Sequence, residues 1–234
     1  MKRPFALLLM MAVIVGCSQG DKGTSPSGDI TALPMQLGSP QNPIGIDIDA
    51  EGITNPGDTA IWPLVEGNQW TIARTEFDSA GSIISRDTFT LGVGEDTIID
   101  GEVWHVITQN GVPDPEFGPL TNRVDGLWAG GTSGILIFKF PAAVHNSYRS
   151  GDEWVEVVSV DEVIAVPAGT YPCYCYRNIR NQPGGRIEYR HFSPNVGYIM
   201  TDEFYRMPGG EYYHGAHSEL ISNSVGSGPD RVGL

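Results

Sequence analysis

Two clusters near the C-terminal end of this 234-residue chain have the residue types that do chemistry. His214-x-x-His217-x-Glu219 offers two imidazoles and a carboxylate within six residues, the donor types of a zinc site. The element that must carry them argues against that use. The stretch reads as a strand, in which residues three apart point to opposite faces, so His214 and His217 would not grip one ion. A metalloprotease pair needs a helix, where His at i and i+4 share a face. The expectation is two surface histidines in a Tyr-rich strand, with only an irregular backbone able to join them. Cys173 and Cys175 form the second cluster. At i and i+2 in a strand they face one side with parallel side chains, their Cα atoms close to the upper limit of roughly 6.8 Å for a disulfide. A Cys-Tyr-Cys bridge would be strained. The preferred reading is two buried thiols packed as small apolar groups, because no helix N-terminus is predicted there to lower a thiol pKa.

A third group lies far upstream. Asp47-x-Asp49-x-Glu51-Gly52, with Asp58 at the twelfth position, partly resembles an EF-hand or dockerin-type calcium loop. Glu51 is long for the fifth position, Asp58 is not the usual bidentate Glu, and Pro56-Gly57 stand where a helix should begin. Calcium is therefore weighed against an acidic segment that simply stays solvated. No Gly-x-Ser-x-Gly, Cys-Gly-Ser-Cys or His-Glu-x-x-His pattern occurs. Neighbouring acids such as Glu95-Asp96 do not define two carboxylates across a cleft, which a glycosidase requires. The chain is read as non-enzymatic, with no cofactor beyond the Ca²⁺ candidate.

The N-terminus says where the chain goes. Lys2 and Arg3 precede eleven apolar residues, Phe5 to Val15, the grammar of a secretion signal and too short to span a bilayer. Ile14-Val15-Gly16-Cys17 resembles the lipobox of bacterial lipoproteins. That resemblance implies a diacylglyceryl group on Cys17, cleavage after Gly16 and acylation (palmitate or a similar chain) of the new amino terminus. Such multiple acylation anchors durably, at about 0.8 kcal/mol per buried CH₂. Ser18, in place of Asp, implies the outer membrane if the cell is Gram-negative.

Removing residues 1–16 moves the formal charge from −14 to −16. A chain this acidic repels phosphate backbones and anionic lipid, which excludes nucleic acid as a partner and leaves the acyl chains as the membrane attachment. Residues 17–58 hold seven Gly, five Pro and no aromatic residue, and read as a disordered acidic tether. Residues 59–224 read as one all-β domain, and 225–234 as a disordered tail. Within the domain, short alternating runs are separated by turn signals such as Asp100-Gly101, Asp125-Gly126, Pro183-Gly184-Gly185 and Pro208-Gly209-Gly210. About ten strands in sequential hairpins imply a single curved antiparallel sheet, a half-barrel or a barrel.

Val166-Pro167-Ala168-Gly169-Thr170-Tyr171-Pro172-Cys173 is the most distinctive run. Together with Pro63-Leu64, Gly67-Asn68-x-Trp70 and Phe192-Ser193-Pro194-Asn195-Val196-Gly197, it resembles an uncharacterised class of bacterial secreted and lipoprotein β domains. The resemblance implies a curved antiparallel sheet and transfers no catalytic residues. Pro167, Gly169, Cys173, Cys175 and Gly197 are read as architecture. The leading functional expectation is a binding or structural module of the cell envelope with a protein, glycan or lipid partner. The alternatives are a carrier of lipid or another apolar ligand in the concave face, and a hydrolase acting on glycans or peptides.

Overall fold

The computed structural model describes residues 60–225 except 116, 131–133 and 181–184. The signal, Cys17, the segment with Asp47, Asp49, Glu51 and Asp58, most of the Pro183-Gly184-Gly185 turn and the tail from 226 lie outside the described residues. The described residues are all β. In chain order the strands are β1 (Gln69–Phe77), β2 (Ile83–Ile99), β3 (Glu102–Gln109), β4 (Val112–Pro113), β5 (Pro119–Arg123), β6 (Gly126–Ala129) and β7 (Ile135–Lys139). Then follow β8 (Ser147–Ser150), β9 (Glu153–Val166), β10 (Gly169–Arg180), β11 (Arg186–Ser193), β12 (Gly197–Arg206) and β13 (Tyr212–Ser224). They form one antiparallel sheet in the order β7-β6-β5-β3-β2-β1-β13-β12-β11-β10-β9-β8, with β4 beside β3.

Among the described residues, thirteen strands exceed the ten expected because β4, β5 and β8 are too short for alternation to show. In the other direction, β2 is one strand where two were expected. A register shift between Val93 and Asp96 carries it past Gly94-Glu95 without ending it. Asp100-Gly101 has the left-handed backbone of a two-residue hairpin turn, φ 52° and 84°, and so does Asn110-Gly111. Asp125-Gly126 behaves differently. Val124-Asp125 form the two-residue turn without positive φ, and Gly126 opens β6, where an added Cβ would stand 2.1 Å from the Phe138 carbonyl oxygen.

β7 and β8, the two ends of the strand order, are tied by tyrosine hydroxyls instead of a ladder. Tyr148 Oη donates to Ile137 O (2.9 Å) and accepts from Lys139 N (3.0 Å), while Tyr176 Oη donates to Lys139 O (2.8 Å). The sheet is thereby nearly closed into a barrel.

The barrel end where β1 begins is plugged from inside. Trp62, fully buried, stands edge-on to Trp70 and Phe117, with ring centroids 5.4 and 5.8 Å away, and tilts against Phe192 at 5.5 Å. Gly197 backs it at φ 95°, where a Cβ would come within 2.5 Å of the indole. Trp70 Nε1 donates to Val196 O (2.6 Å), Asn122 Nδ2 to Trp62 O (2.9 Å), and Asn195 N to Ala60 O (2.9 Å). The Pro167-Ala168 hairpin tip reaches the same end, with Ala168 N donating to Leu220 O (3.2 Å). Two segments of the sequence pattern, residues 67–70 and 192–197, therefore meet in the plug, and the third reaches the same end through Leu220.

β13 contains a bulge. Glu203 pairs with Ala216 and Phe204 with His214, so Gly215 is the extra residue, and a Cβ there would stand 1.9 Å from the Tyr205 ring. The extra residue reverses the side-chain alternation. His214 Nε2 and His217 Nδ1 consequently meet the same carboxylate oxygen, Asp202 Oδ1, at 2.9 Å each. The expectation that strand parity keeps the two histidines apart is corrected by this bulge.

Candidate functional site

Above the plug the interior opens into a cavity of about 390 Å³. Register sets its walls, because residues opposite one another on neighbouring strands share a face. One layer runs Tyr176, Arg190, Thr201, Ser218, Arg74 across β10, β11, β12, β13 and β1. The next runs Asn178, Glu188, Glu203, Ala216, Glu76. Nearer the plug, Ile72 pairs with Leu220 and the lining turns apolar, with Phe89, Phe117, Phe138 and Phe192. The cavity thus has an aromatic side and a charged side.

The charged side satisfies itself. The Glu188 and Glu203 side chains are only 4% and 7% exposed. Arg186 and Arg190 both pair with Glu188. Glu203 takes Arg74, Arg186 Nη1 at 3.4 Å and the Tyr205 hydroxyl at 2.7 Å. Buried carboxylates survive because each is held by guanidinium groups with matched geometry. Burial alone would raise the Glu203 pKa, but the hydrogen bond from Arg74 and the surrounding positive charge outweigh it and keep the carboxyl below its usual range. Burial opposes charge on Arg74 as well, and Glu203 more than offsets it, so the guanidinium stays firmly protonated.

Sequence reading did not single out these residues. A signal existed: Arg186-x-Glu188-x-Arg190 alternates charge at period two, and Arg74-x-Glu76 repeats it. Its direction was hidden, since Ile187 and Tyr189 between them are the residues one would turn inward. They are instead the outward set, with Tyr189 edge-on to Phe204 at 5.9 Å.

The residues that were singled out lie elsewhere. Pro167 stands in the β9–β10 turn and Gly169 opens β10 with φ 145°, while Gly197 lies under Trp62. Cys173 and Cys175 are free buried thiols, and burial, helped by the Glu162 charge, pushes both up to about 12. Among the strand aromatics, Trp70, Trp104, Tyr174 and Tyr176 are buried, whereas Trp128 and Trp154 are half-buried. Gly151-Asp152-Glu153-Trp154 repeats the Gly-x-x-Trp spacing of residues 67–70 in another register: Trp70 faces the plug, and in β9 it is Val155 that is buried in place of Trp154.

No protein-family model matches the chain, and no curated protein matches it. Among solved structures it is similar to a proposed exported protein with a YmcC-like fold from Bacteroides fragilis. That pair is 13% identical over 70% of this chain and 98% of the other, with a TM-score of 0.42. It is also similar to a proposed lipoprotein from Parabacteroides distasonis, 14% identical over 72% of this chain and all of the other, with a TM-score of 0.34.

Proposed function

We propose that this chain is a lipoprotein of the bacterial envelope, held by acylated Cys17, whose barrel binds a small saccharide-like ligand without transforming it. The anchor rests on the signal and lipobox residues, and Ser18 favours the outer membrane. The binding reading rests on the cavity, which falls within the roughly 300–1,000 Å³ range of small-molecule sites. Arg74, Arg186 and Arg190 balance Glu188, Glu203 and Asp114 there, so the lining is formally neutral and sets donors beside acceptors. A neutral, hydroxyl-rich ligand with one apolar face suits such a wall opposite aromatic rings. A lipid chain does not, because its tail would strand several charges away from water.

Binding is preferred to hydrolysis on one ground. Glu188 and Glu203 face each other across β11 and β12. A glycosidase needs one carboxyl free to protonate the leaving group, whereas Glu188 is ion-paired with Arg186 and Arg190, and Glu203 with Arg74 and Arg186.

Two experiments test the reading. The mature chain carrying Cys17→Ser is purified, extracted for lipid and titrated with cell-envelope oligosaccharides by calorimetry. Saturable binding weakened at least tenfold by Arg190→Ala is the expected outcome; stoichiometric co-purified lipid would replace it with the carrier reading. Separately, wild-type chain should take lipid label and sediment with membranes, and Cys17→Ser should do neither.

A further inference from the structure

The bulge at Gly215 creates something on the outer face of the barrel that the cavity does not use. Asp202 on β12 and His217 on β13 are cross-strand partners, and the extra residue brings His214 to the same side. One oxygen, Asp202 Oδ1, stands 2.9 Å from His214 Nε2 and 2.9 Å from His217 Nδ1. All three donor atoms lie within 4.8 Å of one another. Around a tetrahedral ion with bonds of about 2.0–2.1 Å, neighbouring ligand atoms sit about 3.3 Å apart, so each Asp202–histidine separation is within a few tenths of an ångström of that spacing.

Three features argue that the arrangement is built and not incidental. The His214 ring is stacked between Phe77 and Phe204, with centroids 5.1 Å away on each side, which fixes its plane. The second nitrogen of His217 lies 3.7 Å from Glu219 Oε2, an ion-pair contact within reach of the carboxylate–histidine pairing that orients an imidazole toward a metal. The bulge itself requires Gly at 215, because the Tyr205 ring fills the place of a side chain there. Without it, His214 would face away from Asp202.

We infer that Asp202, His214 and His217 form a binding site for a divalent transition-metal ion, zinc in the first instance. Two imidazole nitrogens and a carboxylate oxygen suit zinc, with copper and nickel as competitors, and disfavour calcium and magnesium. Three protein ligands leave a fourth position for water or for a donor brought by another molecule. The ligands are a quarter to two-fifths exposed, so the ion has a path from solvent. Glu219 is a positioning residue, acting on the ion through His217. This site is independent of the cavity, since Thr201 and Glu203 point inward on the strand from which Asp202 points out.

A rival cluster spans β9, β10 and β11, the last of which adjoins β12. Glu162, Cys175 and His191 also bring donor atoms within 4.8 Å of one another. Its thiol is pushed up to about 12 by burial and by the neighbouring Glu162, and His191 is 5% exposed, so an ion there would need both a deprotonated buried thiol and a way in. The open cluster is the better site.

The test uses the mature chain from residue 17 onward with Cys17→Ser, freed of metal by a chelator. Zn²⁺ is titrated in competition with a chromophoric chelator, and Co²⁺ is added in parallel to read coordination from its visible absorption. The expected result is one Zn²⁺ per chain, with affinity falling more than tenfold in His214→Ala, His217→Ala and Asp202→Asn. Glu219→Gln should cost about tenfold, the low end of the effect of a group behind the ligands. Cys175→Ser and His191→Ala should leave affinity within twofold. Zn²⁺ should also raise the melting temperature of the parent and not of His214→Ala, with circular dichroism establishing that each variant is folded. Absence of saturable uptake by the folded parent overturns the inference. So does uptake abolished by Cys175→Ser or His191→Ala and untouched by His214→Ala.

Discussion

Where β1 begins, the barrel interior is closed by Trp62, Trp70 and Phe192 packed ring against ring, with Gly197 giving way to the indole. Where β1 finishes, the same strands turn Arg74, Glu188, Arg190 and Glu203 toward the interior, and a cavity remains. The apolar end gains from excluding water and tolerates no gap, since each lost contact leaves a void. The charged end has its charges matched in pairs, so its groups can be exchanged together at little cost but not singly. Stability belongs to the plug, and adaptability, hence recognition, to the charged end.

The difference predicts a graded set of outcomes. Trp62→Ala removes the centre of the plug and should cost about 3–5 kcal/mol, read as a large drop in the urea midpoint of unfolding. Gly197→Ala attacks the same contact from the other side. A Cβ at 2.5 Å from the indole, on a backbone at φ 95°, should cost about 2–3 kcal/mol. At the charged end, Arg74→Met should cost about 2 kcal/mol, because Arg186 and the Tyr205 hydroxyl still reach Glu203. Adding Glu203→Leu should restore part of that loss. A double variant less stable than Arg74→Met alone would contradict the pairing of these groups.

Acid provides a sharper reading of the same pair. The folded Glu203 carboxyl is held below its ordinary value of 4.5, so its stabilising contribution is complete above that value and is lost as the pH falls through the folded value. Wild-type stability should therefore fall faster below about pH 4.5 than that of Arg74→Met/Glu203→Leu, measured as urea midpoints across pH 3–6. Equal slopes would remove Glu203 from the account. The smallest effect belongs to the seam: Tyr148→Phe deletes its two hydroxyl hydrogen bonds to β7 and should cost about 1 kcal/mol.

Much of the architecture was legible residue by residue. Asp100-Gly101 announced its hairpin because only residues tolerant of positive φ make that turn, and the alternating runs announced strands. Gly67-Asn68-x-Trp70 and Pro194-Asn195-Val196-Gly197 read as architecture from the sequence, but that they form one plug is a contact between residues over a hundred positions apart. The cavity was harder to see. Arg186-x-Glu188-x-Arg190 has the same period whichever way it faces, and ordinary hydrophobic logic turns it outward.

What the sequence by itself determined is local: an N-terminal stretch that resembles an export and acylation signal, the turns, the strand periodicity, and the net acidity. These follow from the chemistry of neighbouring residues and need no partner from elsewhere in the chain. The tertiary structure alone decided which face of each strand is inside, which charges are buried together, and that one extra residue at Gly215 brings His214 and His217 to a single carboxylate oxygen. The reason is the two-residue period of a strand. A shift of one residue exchanges its faces, and whether that shift occurs depends on what lies across the ladder.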